Sequence, residues 1–332
     1  MLCVVPLLRA LRAKYPYAYI ALMASPFNYE VILNNRYVSK IINYDKWQIL
    51  GKGINGWMNL LRFIRALRAE RFEIAIVPST VSTSFTSDLF AYLSGAPVRI
   101  GVESRDGMEN PSSFFFNVPV ELDWSSDPHR HQTLRNLDVA SKLGLEAQDL
   151  TIEMTFDSHE SDSYNDLKQH KLDLKKLVIA YHPGAGKFPN RWEAGRFAKV
   201  ANTLSNELNA STVITCGLMD DEPVFEMVKW LTVPCNLIKG KPIREVAILL
   251  SSVDLVITND TGVMHVAGAA GVSVLSLFGP TDPEQWAPVG AHNRYIRGKD
   301  GDINSITVDE VLKNAREMLV ERIGNPLHNS WP

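Results

Sequence analysis

The segment ITNDTGVMHVAGAAG contains the residues best suited to binding an anion. Its apolar start predicts a buried strand, after which Asp260 caps a helix that opens with Thr261 and Gly262. Unpaired backbone N–H groups at such a helix start bind phosphate, and a glycine lets the ligand approach the backbone closely. His265 should lie one helical turn beyond Thr261, on the same side. The alternative is a capped structural helix with a hydrogen-bonded histidine.

A second segment, IAYHPGAGKFPNRWEAGRF, combines glycines with positive charge. A predicted strand ends at Tyr181, and Gly184 and Gly186 free the backbone of the following loop to wrap a phosphate. Lys187 and Arg191 supply the donors that a diphosphate leaving group requires, because negative charge builds on it as its bond breaks. The loop is not a Walker motif, since no Lys-Ser or Lys-Thr pair follows the second glycine. The alternative is a surface loop with solvated basic residues.

Three further patterns indicate a ligand site less specifically than the two segments above. In CGLMDDEP, Asp221 or Glu222 could accept hydrogen bonds from ribose hydroxyls, although the helix dipole alone also favours an acid there. His131 and Arg135 are four residues apart and could share a helix face that contacts an acidic acceptor, with a solvated face as the alternative. The sequence GKGING at 51–56 formally matches GxGxxG, but no acid ends the next strand, so we interpret it as a loop.

Strand-like apolar runs alternate with amphipathic helical stretches along the chain. The runs are uniformly hydrophobic, which is typical of a parallel sheet buried on both faces. This alternation indicates a doubly wound α/β fold, whose ligands bind at the carboxyl ends of the strands. The clearest predicted strands are Tyr19–Met23, Glu73–Val77, Val98–Gly101, Leu177–Tyr181, Thr212–Cys216, Asp254–Thr258 and Val274–Phe278. The clearest predicted helices are Pro6–Lys14, Asn55–Glu70, Glu193–Leu208, Asp221–Leu231 and Thr261–Ala270. A last helix follows in SITVDEVLKNAREMLVERIG, capped by Asp309 or Thr307.

The composition excludes several classes of protein. A formal net charge of −3 over 332 residues gives no general attraction for nucleic acid. Three widely separated cysteines indicate reduced, buried thiols rather than a disulfide framework or a zinc site. No apolar run is long enough to span a bilayer, and the N-terminus lacks the features of a secretory signal. We therefore expect a cytoplasmic protein.

The stretch GWMNLLRFIRALRAERF bears on membrane contact. Helical spacing predicts Trp57, Leu60, Leu61, Ile64 and Leu67 on one side, with arginines elsewhere. A basic amphipathic helix can rest on anionic lipid, but in an α/β domain such a helix more often packs on the sheet.

Together these segments resemble glycosyltransferase family 9, the ADP-heptose:lipopolysaccharide heptosyltransferases and their relatives. NDTGVMHVAGAAGVSVLSLFGPTDP is similar to the family signature, HPGAGKFPNRWEAGRFAKVA to its other C-terminal motif, and VVPLLRALRAKYPYAYIALM to its first helix and second strand. The resemblance extends over essentially the whole chain. It implies a GT-B fold, in which two Rossmann-like domains face a cleft. The acceptor then binds mostly to the first domain and the nucleotide-sugar to the second.

The domain boundaries follow from this resemblance and from local composition. We predict an acceptor-side domain at 1–160, a nucleotide-sugar-binding domain at 175–305, and a C-terminal helix and tail at 306–332. The break should fall near 155–175, because SHESDSYNDLKQHKLDLKK is polar and the apolar run LVIAYHPG follows it.

The resemblance also implies roles for individual residues of the second domain. The residues expected to meet the donor sugar and its diphosphate are Asp260, Thr261, Gly262 and His265. The residues expected to line the phosphates are Gly184, Ala185 and Gly186, with Lys187 and Arg191 nearby.

Three further positions follow from the same comparison of motifs. Glu222 would face the ribose, and the backbone around Lys241 would lie by the base. Heptosyltransferases usually place a lysine two residues before the tryptophan, where this chain has Asn190. A lysine contact to phosphate therefore falls to Lys187, and the case for ADP-heptose as the specific donor is weakened.

The start of the chain departs from the family pattern. Relatives open with a strand and a Gly-Asp pair before the run that corresponds to MLCVVPLLRAL, and that aspartate is the expected base for the acceptor hydroxyl. We therefore expect the catalytic base to precede Met1. Either Met1 is an internal methionine, which we favour, or the product is shortened. A missing central strand would also expose sheet edges.

The leading hypothesis is an inverting glycosyltransferase without a metal or other cofactor. It would move a sugar, with heptose from ADP-heptose favoured, to a lipopolysaccharide-core or related surface-glycan acceptor. Its partners would be the nucleotide-sugar and the glycolipid, with peripheral contact at the cytoplasmic face of the inner membrane. The alternatives are a truncated, non-catalytic nucleotide-sugar-binding protein and, ranked lower, a sugar-nucleotide epimerase.

Overall fold

A computed structural model describes residues 1–45, 49, 53–157, 160 and 176–324. The chain divides after Leu150 into two compact units, one containing Cys3–Leu150 and the other beginning at Thr151. Most of the polar stretch in which the sequence predicts the domain break lies outside the described residues, so the predicted boundaries stay a prediction.

The strands of the first unit form two sheets. In one, β1 pairs with β2 in parallel; in the other, β4 pairs in parallel with β3 and β6 and antiparallel with β5. These strands are β1 Ala21–Ala24, β2 Lys40–Asn43, β3 Ile74–Val77, β4 Val98–Arg105, β5 Met108–Glu109 and β6 Val118–Leu122. The helices are α1 Val5–Lys14, α2 Pro26–Ile32, α3 Gly53–Ala69, α4 Phe85–Leu93 and α5 Gln132–Val139. Most residues of β1 and β3 are only partly buried, because small sheets bury little of each strand.

Helix α3 is rotated relative to the face that its sequence predicts. Leu67 is buried, and the ring of Phe63 packs edge-on against Phe90 of α4, with 5.3 Å between centroids. Trp57 and Leu61, predicted to lie on the packed side, are instead 70% and 49% exposed. The aromatic contact with α4 therefore decides which side of the helix is buried. The glycine-rich stretch predicted as a loop is corrected in part, since its residues from Gly53 onward open this helix and its first two lie outside the described residues.

The second unit contains a six-stranded parallel sheet in the order β12-β11-β10-β7-β8-β9. Its strands are β7 Val178–His182, β8 Ser211–Cys216, β9 Cys235–Lys239, β10 Leu255–Asn259, β11 Val274–Phe278 and β12 Asn293–Arg297. Its helices are α6 Ala194–Leu208, α7 Asp221–Lys229, α8 Ile243–Leu250, α9 Gly262–Ala269, α10 Pro283–Trp286 and α11 Val308–Gly324. From β7 the chain runs outward to β8 and β9, then returns to β10 on the other side of β7. This is the doubly wound order, and its switch point lies between β7 and β10.

The core of this unit lies on both faces of the sheet. Every residue of β7, β10 and β11 is buried. Successive side chains alternate between the faces, so that Ile179 and Tyr181 join one apolar cluster while Val178 and Ala180 join the other. Burial on both faces accounts for the uniform hydrophobicity of these strands in the sequence.

The last helix, α11, begins with a capping box. The hydroxyl of Thr307 accepts the N–H of Glu310 at 3.2 Å, and the Glu310 carboxylate accepts the N–H of Thr307 at 2.8 Å. The cap is therefore Thr307 rather than Asp309.

Two other sequence expectations concern cysteines and membrane spans. Cys3, Cys216 and Cys235 are free thiols as expected, but only Cys3 and Cys216 are buried, because Cys235 lies in the edge strand β9 and is partly exposed. Among the described residues, no helix combines the length and apolarity needed to cross a bilayer.

Candidate functional site

The two segments predicted to bind phosphate meet at the switch point of the second sheet. One follows β7 and the other follows β10, and these two strands are direct neighbours, with Thr258 opposite His182. Parallel neighbours end at the same edge of a sheet, so the loop after His182 and the turn after Asn259 lie side by side.

Asn259 binds the first loop at both of its ends. Its side chain is fully buried, and its amide nitrogen donates to the carbonyl oxygen of Pro183 at 2.8 Å. Its amide oxygen accepts the backbone N–H of Trp192 at 3.1 Å. No role for Asn259 was predicted from the sequence. The sequence did contain a signal for this role, which is an asparagine at the end of a buried strand. A buried side-chain amide must form hydrogen bonds with neighbouring segments.

Asp260 does not cap the following helix, contrary to the prediction. Its carboxylate accepts a hydrogen bond from the side-chain amide of Asn190 at 2.9 Å. Burial raises the pKa of Asp260, while a hydrogen bond from Thr281 and the positive charge of Lys187 oppose that shift. The N-cap is Thr261, whose side chain forms no capping hydrogen bond.

Gly262, the first residue of α9, is exposed. A side chain at Gly262 would meet nothing within 4 Å, and the same holds for Gly186 in the neighbouring loop. Lys187 is exposed beside Gly186. His265 is half-buried within α9, and its ring lies edge-on to Trp286 with 6.4 Å between centroids. The backbone N–H groups of the helix start are thus accessible to an anion.

Arg191 joins the β7 loop to the first turn of α7. Its Nε donates to the carbonyl oxygen of Ala185 at 2.9 Å, and its guanidinium lies 3.4 Å from the carboxylate of Glu222. Asp221, the other candidate for a ribose contact, pairs with Lys239 at 2.7 Å. The Glu222 side chain is 81% exposed, which leaves it as the acid available to a ligand.

Asp220 was missed by the sequence analysis, although it contacts both loops. Its carboxylate accepts the backbone N–H of Gly217 at 2.9 Å and occupies the space that a side chain at Gly184 would need. The same carboxylate lies 3.7 Å from Nε2 of the buried His182, whose Nδ1 lies 3.0 Å from the hydroxyl of Thr215. Burial lowers the pKa of His182, and the charge of Asp220 opposes that shift. The Asp220 carboxylate therefore leaves no room for a side chain at residue 184, and the predicted phosphate contact of Gly184 stays a prediction.

Lys241 lies apart from these contacts. It follows β9, and its ammonium pairs with Glu245 of α8 at 2.9 Å. β9 is two positions from β7 in the sheet, on the same side as β8.

His131 and Arg135, in the first unit, have different partners. His131 is the N-cap of α5 rather than part of its face, and its ring nitrogen accepts the N–H of Thr133 at 3.2 Å. Arg135 lies over the ring of Trp124 at 4.3 Å and donates to the carbonyl oxygen of Pro128 at 2.8 Å. Arg135 also lines a surface cavity of about 480 Å³. The other residues that line this cavity are Asp106, Gly107, Asp123, Trp124, Ser125 and Pro128.

The switch-point site can hold an anionic ligand between two glycine-bearing loops. It offers uncapped helix N–H groups at Gly262, the cations Lys187 and Arg191, and the exposed acid Glu222. This combination suits a nucleoside diphosphate, because the cations and the helix start meet the phosphates while the acid meets ribose hydroxyls.

The model of glycosyltransferase family 9 (heptosyltransferase) matches residues 60–314. This chain belongs to glycosyltransferase family 9. Lipopolysaccharide heptosyltransferase 2 of Escherichia coli K12 is 27% identical to it over 302 residues, which are 88% of this chain and 82% of that protein. A glycosyl transferase family 9 structure from Veillonella parvula superposes with a TM-score of 0.82 at 23% identity, covering 96% of this chain and 93% of that one. The E. coli ADP-heptose lps heptosyltransferase II structure gives a TM-score of 0.77 at 23% identity, covering 97% and 96%.

Family membership confirms the resemblance on which the sequence analysis relied. The protein is a glycosyltransferase, and the likeness to the solved structures confirms the predicted GT-B fold with Rossmann-like units. The roles assigned to individual residues of this family 9 glycosyltransferase stay predictions.

Proposed function

We propose that this enzyme transfers heptose from ADP-heptose to a lipopolysaccharide-core or related surface-glycan acceptor, with inversion and without a metal. The observation that carries the transferase part of the proposal is the meeting of the HPGAG and NDTG segments at the switch point, where Asn190 bonds Asp260. The name of the E. coli relative, lipopolysaccharide heptosyltransferase 2, supports the choice of sugar and acceptor.

The reaction breaks the bond between the anomeric carbon and the diphosphate oxygen. The acceptor hydroxyl attacks that carbon from the opposite side, its proton passes to a base, and the bonding electron pair leaves with the nucleoside diphosphate. Lys187, Arg191 and the start of α9 at Gly262 would stabilise the charge that develops on the leaving group. These groups would supply the electrostatic role that a divalent cation has in other transferases.

The enzyme is proposed to act in the cytoplasm, in peripheral contact with the inner membrane. This placement follows from the acceptor, since a lipopolysaccharide precursor is a glycolipid while the donor is water-soluble.

The test is a transfer assay with ADP-heptose and a heptose-deficient lipopolysaccharide core. We expect ADP release only when the acceptor is present, a product heavier by one heptose, and no loss of activity with a chelator. Lys187→Ala should lower kcat/KM about tenfold or more, because the leaving group loses a cation. The matched control is Lys229→Ala, which removes an exposed lysine on α7.

The other possible results of the transfer assay each favour a different function or mechanism. Donor turnover without acceptor would favour epimerisation, and donor binding without turnover would favour a non-catalytic binding protein. Loss of activity with a chelator would overturn the metal-independent mechanism.

A further inference from the structure

Helix α3 carries an unexpected combination of side chains on its outer face. Trp57, Met58 and Leu61 are 70%, 44% and 49% exposed. Arg62, Arg65 and Arg68 are exposed between and beside them. At 3.6 residues per turn, all six lie within about 140° of the helix circumference. The sequence from Gly53 to Ala69 contains no aspartate or glutamate, so this face is apolar and positive only.

A second group of exposed aromatic rings lies on the neighbouring elements. Phe85 and Tyr92 of α4 are 59% and 49% exposed, and Phe114 is 71% exposed. All three rings contact Phe115, with centroid distances of 5.7, 5.4 and 4.4 Å respectively. The guanidinium of Arg99 lies 5.5 Å from the ring of Tyr92, which adds a positive charge to this cluster.

The two groups belong to adjacent helices. Arg68 of α3 donates through Nε to the carbonyl oxygen of Leu93 at the end of α4, at 3.0 Å. Helix α3 contains no acid, and both the acid within α4 and the acid that directly follows α3 are already bound. Asp88 of α4 is fully buried and accepts hydrogen bonds from Asn110 and Ser112, and Glu70 pairs with Lys40 at 2.5 Å.

We propose that the outer faces of α3 and α4, with the turn around Phe114, form a docking surface for an anionic lipid bilayer. The inference rests on the peripheral contact proposed above, and it names the surface and the lipid charge. Tryptophan and tyrosine rings, with an apolar body and a polar edge, favour the headgroup region of a bilayer. Arginines beside them attract anionic headgroups, at about 1 kcal/mol for each cation near the surface. Helices α3 and α4 therefore present exposed aromatic and basic side chains but no exposed acid, which matches an anionic bilayer.

The experiment measures binding of the full chain to vesicles, with no donor or acceptor present. Vesicles with about one third phosphatidylglycerol are compared with vesicles of phosphatidylcholine alone. We expect binding to the anionic vesicles only, and a decrease of binding as salt is raised. Arg62→Gln with Arg65→Gln should weaken this binding about 30-fold, and Trp57→Ser with Leu61→Ser about tenfold.

The matched control combines Lys313→Gln with Val320→Ser, which change an exposed lysine and an exposed valine on α11. It should bind like the wild type, and all variants should unfold within about 2 °C of it, because the changed side chains are exposed. Equal binding to neutral vesicles, or equal losses in the control, would overturn the proposal. So would a wild-type dimer, seen by analytical ultracentrifugation, that the Trp57→Ser and Leu61→Ser variant dissociates, because the face would then join two copies. Transfer to a lipid-free core oligosaccharide tests the proposed function separately.

Discussion

The side-chain amide of Asn190 donates to the carboxylate of Asp260 at 2.9 Å, although 70 residues separate them in the sequence. This contact joins the loop after β7 to the turn after β10, and both residues lie where the donor diphosphate is proposed to bind. The resemblance described above would place a lysine at residue 190, whereas in this protein an amide faces the carboxylate. If the diphosphate binds here as proposed, its positive partners would be Lys187 and Arg191.

Asn190→Ala should destabilise the fold. Asn190 is buried, and its loss leaves a mostly buried carboxylate oxygen without its amide donor. The expected cost is about 1–3 kcal/mol in the free energy of unfolding, measured by urea denaturation. Asn314→Ala is the control, since that half-buried amide donates to the Glu310 carbonyl within its own helix, α11, rather than to a carboxylate. If both variants lose the same free energy of unfolding, the Asn190–Asp260 hydrogen bond does not stabilise the fold more than an ordinary hydrogen bond within a helix.

Gly184→Ala and Gly186→Ala should separate packing from ligand contact. A Cβ at residue 184 would collide with the Asp220 carboxylate, whereas one at residue 186 would meet open space. We expect Gly184→Ala to lower the free energy of unfolding by about 1–3 kcal/mol and Gly186→Ala to leave it unchanged. Adding Asp220→Ala to Gly184→Ala should recover part of the loss, as measured by a double-mutant cycle. If the cycle gives no coupling free energy between residues 184 and 220, the collision is relieved by movement of other residues.

Glu222→Gln should weaken donor binding without affecting the fold. The carboxylate is exposed and touches only the Arg191 guanidinium, at 3.4 Å, so its loss costs little stability. If Glu222 accepts ribose hydroxyls, the KM for the donor should rise about threefold to tenfold with little change in kcat. Glu226→Gln on the same helix is the control. A fall in kcat at constant KM would place Glu222 in the chemical step instead.

Asp260→Asn should change the dependence of stability on pH. Burial raises the native pKa of Asp260 above its unfolded value, so the native state binds more protons in the window between the two. The stability contributed by this group is complete below the unfolded pKa and is lost as pH rises through the native pKa. The variant should therefore gain Tm relative to wild type at pH 8, with the gain shrinking toward pH 4. If the gain in Tm is the same at every pH, titration of Asp260 does not contribute to the stability of the protein.

Four strands of the second sheet, β7, β8, β10 and β11, could be predicted from the sequence alone, whereas β9 and β12 were not among the predicted strands. Strands β7, β10 and β11 are apolar throughout because both of their faces are buried, and the structure shifts their predicted ends by at most one residue. The loops that follow these strands could also be recognised as candidate phosphate sites, because a phosphate site at a strand end needs both a flexible backbone and positive charge.

Which side chains meet at the carboxyl edge of this sheet could not be predicted from the sequence, because it depends on the order of the strands. The pairing of Asn190 with Asp260 depends on β10 lying beside β7, and the exclusion of a side chain at Gly184 depends on β8 bringing Asp220 to its other side. Helix α3 illustrates the same limit, since its periodicity is compatible with burying Trp57, yet the contact of Phe63 with Phe90 turns that residue outward. Periodicity fixes which residues share a face of a helix or strand, whereas the partner of that face is set by contacts between residues distant in the sequence.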